Sequence, residues 1–425
     1  MTLKAARPLL ALGAALSLML AAPAVHAQTR IPNDPSVALP ADIQRDLATI
    51  PDEGTPRPAR HFPVSNEYRH DLLYPHLSGL GGAYVGVGSD QNYTMAAKAG
   101  SELLLLCDYD PQIPLVHRMY RALVSVSETP DALIAHFAPE AQAESERIIA
   151  TELADDPRVA DVVQYYRRQR QWFDRYLRRM ARAQHDGAPV AWIGDAQMYA
   201  RIRALHRARR IQTFNGDVTA ERTLRAIGDV ARRAGTTVRV IYFSNAEQFF
   251  PYTDTFIRNM ENLPTDDRAI VVRTVNHRRL VKPGPRDWHY VMQPMSDFLA
   301  RLRTGAYRHS FQLVSDILAA GPPTMGADGL SHITAQTPQH AAEQVSDRRA
   351  GRVPRVPLPP GTRPDTPQPA WRIPTPPPAR RAPVPPTPAQ PRPARRAPAQ
   401  PTPAQPTPAR RAPAQPTPAQ PTPGS

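Results

Sequence analysis

Residues 82–111 constrain the fold more than any other part of this 425-residue chain. They predict a short apolar strand at 83–87, a glycine turn, a helix of about two turns and a second apolar strand at 102–107 that ends in aspartates. A strand, a Gly-rich turn, a helix and a second strand closed by an acid form the nucleotide-binding half of a doubly wound sheet. The stretch therefore predicts an α/β fold with a mostly parallel, Rossmann-like sheet.

The residue types in this stretch suit a nucleoside ligand. Gly86 and Gly88 let the backbone approach a ligand closely, and the helix that follows offers unpaired N–H groups at its start. A carboxylate from Asp108 or Asp110, after the second strand, can accept the hydrogens of a ribose diol. We therefore expect a ligand crevice at the ends of these two strands.

The alternation of strands and helices resumes later in the chain. Apolar segments predict strands at 189–193, 211–214, 238–243, 269–275 and 289–292. Helical patterns separate most of them, which favours parallel pairing with right-handed crossovers. The sequence thus predicts one sheet of five or six strands, within a domain at 61–320 that carries a helical insertion at 129–184.

The last helix of the insertion, at 159–184, is basic and amphipathic, with arginines interleaved with aromatic residues. Such a helix can lie on an anionic membrane surface or contact nucleic acid. It can equally pack its aromatic stripe on the sheet and leave its arginines in solvent, and we favour that interpretation.

The first 27 residues predict a secretory signal. Lys4 and Arg7 precede an apolar run at 9–22 that is short for a membrane span, and small residues precede a cleavage position after Ala27. We expect a periplasmic or secreted protein without a transmembrane helix after cleavage; an uncleaved anchor is the alternative. Residues 28–60 predict an extended lead-in with one short helix near 41–49.

Residues 321–425 predict a disordered tail rich in proline, alanine and arginine. Residues 351–425 alone hold 27 of the 51 prolines, and 11 arginines against the single acid Asp365. They supply +10 of the formal +14, so the charge of the whole chain does not argue for a nucleic-acid-binding core. The arginine pairs of the tail can contact an anionic cell-envelope polymer, and a tail without a ligand is at least as compatible with this composition.

The cysteine and the histidines give no indication of a disulfide, a nucleophilic thiol or a metal site. Cys107 is the only cysteine, which excludes an internal disulfide, and its place at the end of an apolar strand favours a buried, inert thiol. The histidines show no metal-ligand spacing, so we expect no metal site.

Polar residues follow four of the predicted strands. Since ligands of doubly wound sheets lie outside the carboxyl ends of the strands, these residues are the candidate site. They are Gly86, Gly88, Ser89, Asp90, Gln91 and Asn92 after the first strand, Asp108 and Asp110 after the second, Asn215 and Asp217 after a middle one, and Ser244, Asn245 and Glu247 after the next.

This arrangement resembles class I S-adenosylmethionine-dependent methyltransferases. The resemblance implies that the glycine turn holds the amino-acid end of the cofactor, that Asp108 or Asp110 holds the ribose, and that Asp217 contacts the adenine. By the same resemblance Ser244, Asn245 and Glu247 would face the substrate. Ser89, Asp90 and Asn92 complete the expected cofactor site.

The runs GGAYVGVGSDQNYT, LLLLCDYDP and IYFSNAEQFFPY are also similar to an uncharacterised bacterial family with a methyltransferase-like fold, whose members are often exported. This similarity covers about residues 62–305. Asp90 stands where a third glycine is expected, and its charge would repel the methionine carboxylate unless the side chain turned away.

Two functions remain open from the sequence. One is S-adenosylmethionine-dependent methyl transfer to an unidentified acceptor. The other is a non-catalytic role, in binding a small ligand or in association with the cell envelope, with the fold retained.

Overall fold

The computed structural model describes residues 31–53, 62–284 and 287–339. The predicted leader and most of the predicted tail lie outside these ranges. Within them, no helix is long and apolar enough to cross a membrane.

A seven-stranded sheet forms the centre of the described chain. Its strands lie side by side in the order β5-β2-β1-β6-β7-β8-β9, and the five strands from β5 to β7 are mutually parallel. β8 runs antiparallel to β7, and β9 is parallel to β8. The bounds are β1 Ala83–Gly86, β2 Leu103–Asp108, β5 Ile211–Asn215, β6 Val238–Tyr242, β7 Ile270–Val275, β8 His289–Pro294 and β9 Leu330–His332, while β3 Gln184–His185 and β4 Ala188–Pro189 form a separate hairpin.

This topology confirms the predicted doubly wound α/β class. Counted along the chain, the strands of the large sheet have the order 3-2-1-4-5-6-7, which reverses between β1 and β6. β1 and β2 are parallel neighbours, with Ala83 opposite Leu103 and Gly86 opposite Leu106. Their trailing loops therefore leave the same edge of the sheet.

Twelve helices surround the sheet in the described ranges. Their ends follow ordinary capping chemistry: α3 ends at Gly100 in a left-handed conformation, and the Asp195 carboxylate accepts the first N–H groups of α8. The helices are α1 Ala41–Ala48, α2 Tyr74–Leu77, α3 Gln91–Ala99, α4 Ile113–Val126, α5 Pro130–Ala135, α6 Gln142–Glu152, α7 Val159–Arg182, α8 Ala196–Arg207, α9 Thr223–Arg233, α10 Asp254–Asn262, α11 Met295–Arg303 and α12 Ser310–Ala320.

The two faces of the sheet bury different sets of helices, because side chains alternate along each strand. Tyr84, Leu104 and Tyr242 pack with residues of α3, α4 and α5–α8. We call this side the insertion face. Val85 and Leu105 point to the opposite face, where they pack with α1 and α9–α12.

The long basic helix α7 agrees with the packing interpretation. Its aromatic residues Tyr165, Phe173 and Tyr176 are buried in the insertion-face core, whereas Arg168 and Arg175 are exposed. The helix thus contributes its apolar stripe to the core, and of its arginines Arg170 is buried, where it donates to the Phe137 carbonyl at 2.9 Å.

Three details of the sheet differ from what the sequence predicted. The segment predicted as a strand at 189–193 forms the end of the small hairpin and a short 3-10 helix, Trp192–Gly194. β8 is antiparallel to β7, and the described residues between the two strands, 276–284 and 287–288, contain no helix. β9 was not predicted, so the sheet continues beyond the predicted domain limit at residue 320.

Candidate ligand crevice at the strand ends

The candidate site begins where the strand order reverses. Val87 donates its N–H to the carbonyl of Tyr242 at 3.0 Å, so the loops after β1 and β6 start side by side. The loop after β2 leaves the same edge on the other side of β1. Parallel strands thus bring three of the predicted polar loops together.

The glycine turn faces an acid on the neighbouring strand. Gly88 has a left-handed backbone, with φ +86°, and its N–H donates to Asp108 Oδ2 at 2.9 Å. His117 of α4 donates from Nε2 to the Gly88 carbonyl at 3.0 Å, while its Nδ1 accepts from Tyr93 at 2.7 Å. Burial lowers the pKa of His117 to about 4, which keeps the ring neutral at pH 7 and fixes these roles.

The Asn92 side chain stabilises the glycine turn through hydrogen bonds. Its Nδ2 donates to the carbonyls of Val87 at 2.9 Å and Ser89 at 2.7 Å, and its Oδ1 accepts from the Tyr84 hydroxyl at 2.9 Å. A Cβ on Gly86 would lie 2.2 Å from that Oδ1. Gly86 is therefore needed because a larger residue would collide with Asn92. The sequence had suggested that this glycine made room for a ligand.

Asp90 turns away from the crevice. Tyr176 of α7 donates to both carboxylate oxygens, at 2.9 and 3.0 Å, and Trp192 Nε1 donates to Oδ2 at 3.1 Å. Burial raises the pKa of this carboxyl. Asp90, which was expected to repel a cofactor, thus links the glycine turn to the insertion by hydrogen bonds. Ser89 Oγ in the same turn donates to the Pro63 carbonyl at 2.8 Å.

The two aspartates after β2 are buried and ordered by backbone donors. Asp108 Oδ1 accepts from the N–H of Asp110 at 2.9 Å, and Asp110 Oδ1 accepts from that of Gln112 at 2.9 Å. Beside Asp108 lies a narrow gap that does not admit a water-sized sphere. Gly88, Leu106, Cys107, Asp108, Ile113, Pro114, His117, Thr213 and Phe214 line it.

The loop after β5 contacts this aspartate loop. Asn215 Nδ2 donates to the carbonyls of Asp108 and Tyr109, each at 3.0 Å. Asp217 accepts from the N–H of Thr219 at 2.8 Å and from its hydroxyl at 2.7 Å. The structure therefore brings Asn215 to the crevice and shows Asp217 stabilising a local turn.

Two acids that sequence reasoning missed reach this edge from the lead-in. Asp52 Oδ1 accepts from the N–H of Asn215 at 2.8 Å, and the Glu53 carboxylate accepts the N–H groups of Arg222 and Thr223 at the start of α9. Burial, together with the charges of Asp108, Asp217, Glu53 and Asp52, raises the pKa of Cys107 well above its usual value. Asp52 and Glu53 are far from the glycine turn in the sequence, so no local pattern indicated that they would lie at this edge of the sheet.

The three residues predicted to face a substrate are separated. Glu247 is buried on the opposite face, where it pairs with Arg273 and accepts from the Tyr252 hydroxyl at 2.8 Å. Ser244 instead lies on the insertion face, and Asn245 between them is half-buried. The predicted role of Glu247 does not fit this placement, because both of its oxygens already accept from buried groups.

Glu67 is a further functional candidate, which sequence reasoning missed. Its buried carboxylate accepts from Ser244 Oγ at 2.6 Å, Thr274 Oγ1 at 2.8 Å and the Tyr242 hydroxyl. Burial raises its pKa to about 7. A lone glutamate between asparagine and tyrosine carries no sequence signal for such an environment.

No group of three or more His, Cys, Asp or Glu side chains in the described ranges is arranged to hold a metal ion. The polar groups at the strand ends can donate and accept hydrogen bonds. Carboxylates dominate them.

Comparisons with known proteins give one family and two weak structural likenesses. Residues 62–334 match a family model described as Domain of unknown function (DUF7790). Two solved structures of the rRNA methyltransferase aviRa from Streptomyces viridochromogenes, at 2.4 and 1.5 Å, are similar at 15% and 14% identity. Each covers 56% of this chain, and 84% and 83% of the solved chain, with TM-scores of 0.25 and 0.23. The curated proteins include no match.

Proposed function

The chain belongs to the DUF7790 family, and on that premise we propose that its strand-end crevice binds a cationic, nucleoside-containing ligand, with S-adenosylmethionine as the first candidate. One observation carries the proposal. At the end of β1, the strand that borders the reversal of strand order, the Gly88 N–H donates to the Asp108 carboxylate of the neighbouring strand β2 at 2.9 Å.

Asp108 is suited to a ribose. Its carboxylate already accepts from the backbone of the glycine turn, and ribose hydroxyls are donors of the same kind. A Cβ at Gly88, whose φ is +86°, would lie 2.5 Å from Gln91 Nε2, so a glycine is required beside this carboxylate. A ligand would replace the Gly88 donor and leave that N–H to a ligand acceptor.

The charge of the site favours a cation over a phosphate. Asp52, Glu53 and Asp108 lie at this edge, so acidic side chains outnumber basic ones around the loops after β2 and β5. A pyrophosphate would meet this negative charge. A sulfonium and an ammonium, the cationic groups of S-adenosylmethionine, would be attracted.

S-adenosylmethionine would supply an electrophilic methyl group. The contribution of the protein would be alignment: Asp108 would fix the ribose and the glycine turn the amino-acid end, next to the loop after β6 where an acceptor would enter. Proximity and orientation of this kind account for much of the acceleration in group transfer.

A non-catalytic ligand-binding role is the second candidate, and the size of the gap favours it. The space beside Asp108 is too narrow to admit even a water-sized sphere, whereas small-molecule sites usually enclose about 300–1,000 Å³. A ligand as large as S-adenosylmethionine would require the loops after β1 and β2 to separate. A fold that retained the crevice without the reaction would explain a tight gap.

Calorimetric titration of the full chain tests the proposal. We expect heat with S-adenosylmethionine and with S-adenosylhomocysteine, and weaker binding of NAD. Asp108→Asn should weaken binding by roughly ten- to a hundredfold, the worth of one charged hydrogen bond. Asp155→Asn, an exposed acid on the insertion, is the matched control.

The outcomes separate the alternatives. Absence of heat with millimolar ligand rules out the proposed cofactor. Binding that survives Asp108→Asn would mean that the ribose position is wrong. Binding without methyl transfer to any protein, lipid or polysaccharide fraction would support the second candidate.

A further inference from the structure

We propose that Ser244 is a nucleophile that attacks small acyl esters, with Glu67 as its general base and Asn245 as a donor to the developing oxyanion. This activity is distinct from methyl transfer and does not rest on ligand binding beside Asp108. Three observations carry it: the backbone at Ser244, the contacts of Glu67 and the difference in exposure between the two side chains.

Ser244, two residues after the end of β6, has an unusual backbone conformation. Its φ is +52°, in the left-handed region that costs a non-glycine residue about 1 kcal/mol or more. The chain then turns into a short 3-10 helix, Ala246–Gln248. A serine on a strained strand-to-helix turn presents its hydroxyl at the edge of a sheet, as nucleophilic serines of other folds do.

The turn stands at the reversal of strand order. Tyr242, two residues earlier, pairs with Gly86 of β1. Ser244 therefore lies beside the glycine turn, where a small molecule at the strand ends would contact it.

Hydrogen bonds orient the Glu67 carboxylate towards the Ser244 hydroxyl, as a general base requires. The serine hydroxyl donates to its Oε1 at 2.6 Å, and Thr274 Oγ1 donates to the same oxygen at 2.8 Å. Tyr242 donates to the other oxygen. A nucleophile bonded to a base that further groups orient is the arrangement that activates a hydroxyl.

Burial adjusts the strength of this base. A carboxylate of ordinary pKa is too weak to take a proton from a hydroxyl effectively, whereas the pKa of Glu67 is raised to about 7. The acid and base forms of Glu67 are then both well populated near neutral pH.

Exposure distinguishes Ser244 from the other two hydroxyls. Glu67, Tyr242 and Thr274 are buried, whereas Ser244 is partly exposed. Of the three hydroxyls on Glu67, that of Ser244 is thus the one a substrate can reach. The base is shielded from water and the nucleophile is not.

The reaction balances with these groups alone. The Ser244 proton moves to Glu67 as Oγ bonds to the carbonyl carbon, and the carbonyl oxygen becomes an oxyanion that the Asn245 carboxamide can contact. The ester C–O bond then breaks, and Glu67 returns its proton to the leaving alkoxide. Water hydrolyses the acyl-serine by the same proton route and restores the free hydroxyl.

Asn245 is placed for its role. It follows the nucleophile directly, is half-buried, and makes no side-chain hydrogen bond to the described residues. An asparagine donor of this kind typically contributes about a hundredfold or more to the rate in acyl transfer.

The test uses a fluorophosphonate probe and p-nitrophenyl acetate on the full chain. We expect one covalent adduct, located at Ser244 by peptide mass spectrometry, and a labelling rate that rises with pH through about 7 as Glu67 ionises. Ser244→Gly should abolish labelling while keeping the fold, since glycine accepts φ +52° without strain. Glu67→Gln should slow labelling at least tenfold, and Ser78→Ala, an exposed serine elsewhere, should not change it.

Circular dichroism and thermal melts of each variant keep the result interpretable. A folded Ser244→Gly protein that still labels equally, or a wild-type protein that does not label, overturns the proposal. Labelling that is independent of pH between 5 and 9 would overturn the role of Glu67. A purely structural contact predicts loss of stability in these variants and no labelling in the wild type.

Discussion

At the scale of single residues, burial and hydrogen-bond partners determine the environment of each carboxylate. Gly88 and Asp108 were predicted to share a site, and they do meet, because both belong to one local strand–turn–helix–strand unit. The environments of Asp90 and Glu247 were not predictable, since their partners Tyr176 and Arg273 come from other elements. Local sequence thus predicted that Gly88 and Asp108 would be neighbours, and it could not predict the buried contacts around them.

Glu67 should make stability depend on pH. Its pKa is raised from 4.5 to about 7, so the folded state binds more protons than the unfolded state between these values. Its contribution is therefore complete below pH 4.5 and is lost as pH rises through 7. We expect the difference in unfolding free energy between wild type and Glu67→Gln to shift by roughly 3 kcal/mol across this range.

Urea denaturation at pH 5, 6, 7 and 8 measures this difference. Comparing the two proteins cancels the opposite trend of buried histidines such as His117, whose pKa is lowered. A difference that stays constant with pH would show that Glu67 remains ionised throughout.

Asp90 should be a structural residue. Asp90→Ala removes the acceptor of the buried Tyr176 hydroxyl and the Trp192 N–H, and unsatisfied buried donors cost about 1–3 kcal/mol each. We expect a total loss of about 2–5 kcal/mol in denaturant titration. Asp155→Ala, an exposed acid of the same insertion, should change stability by less than about 0.5 kcal/mol.

At the scale of elements, the spacing of apolar residues predicted helix α7, whereas the surface against which it packs depends on the topology. The helical spacing of its aromatic residues predicted a buried stripe, and Phe173 indeed stacks on Phe137 with ring centres 5.7 Å apart. The direction of β8 was not predictable, since an apolar segment reads the same in either direction. Only the loop that connects it to β7 decides that direction.

Phe173 provides the test of this packing. Phe173→Ala should destabilise the protein by about 3–5 kcal/mol, because the ring is buried among Phe137, Tyr120 and Tyr165. Arg175→Ala, two residues along on the exposed face, should cost less than about 0.5 kcal/mol. Equal effects in chemical denaturation would mean that α7 does not pack as described.

At the scale of the whole molecule, the lead-in is part of the fold. Arg210, next to β5, donates to the carbonyls of Val37 at 2.8 Å, Pro32 at 2.7 Å and Glu102 at 3.2 Å. α1 lies against α9, and Arg233 pairs with Asp46 at 2.7 Å. The sequence predicted the helix and not its attachment, since proline-rich composition says nothing about a distant arginine.

Arg210→Ala should release this segment. We expect amide exchange at residues 31–50 to accelerate at least tenfold, with a loss of about 2–4 kcal/mol in stability as three carbonyls lose a charged donor. Arg207→Ala, exposed on α8, is the control. Unchanged exchange at 31–50 in Arg210→Ala would show that the segment is held by other contacts.

The attachment of the lead-in also orders events during synthesis. Val37 and Pro32 leave the ribosome 173 and 178 residues before Arg210 emerges. The start of the chain must wait for β5 before it finds its place, and closing so long a loop is slow compared with forming the helices nearby. A nascent chain halted before residue 210 should therefore expose residues 31–50 to protease, and one released after β5 should protect them.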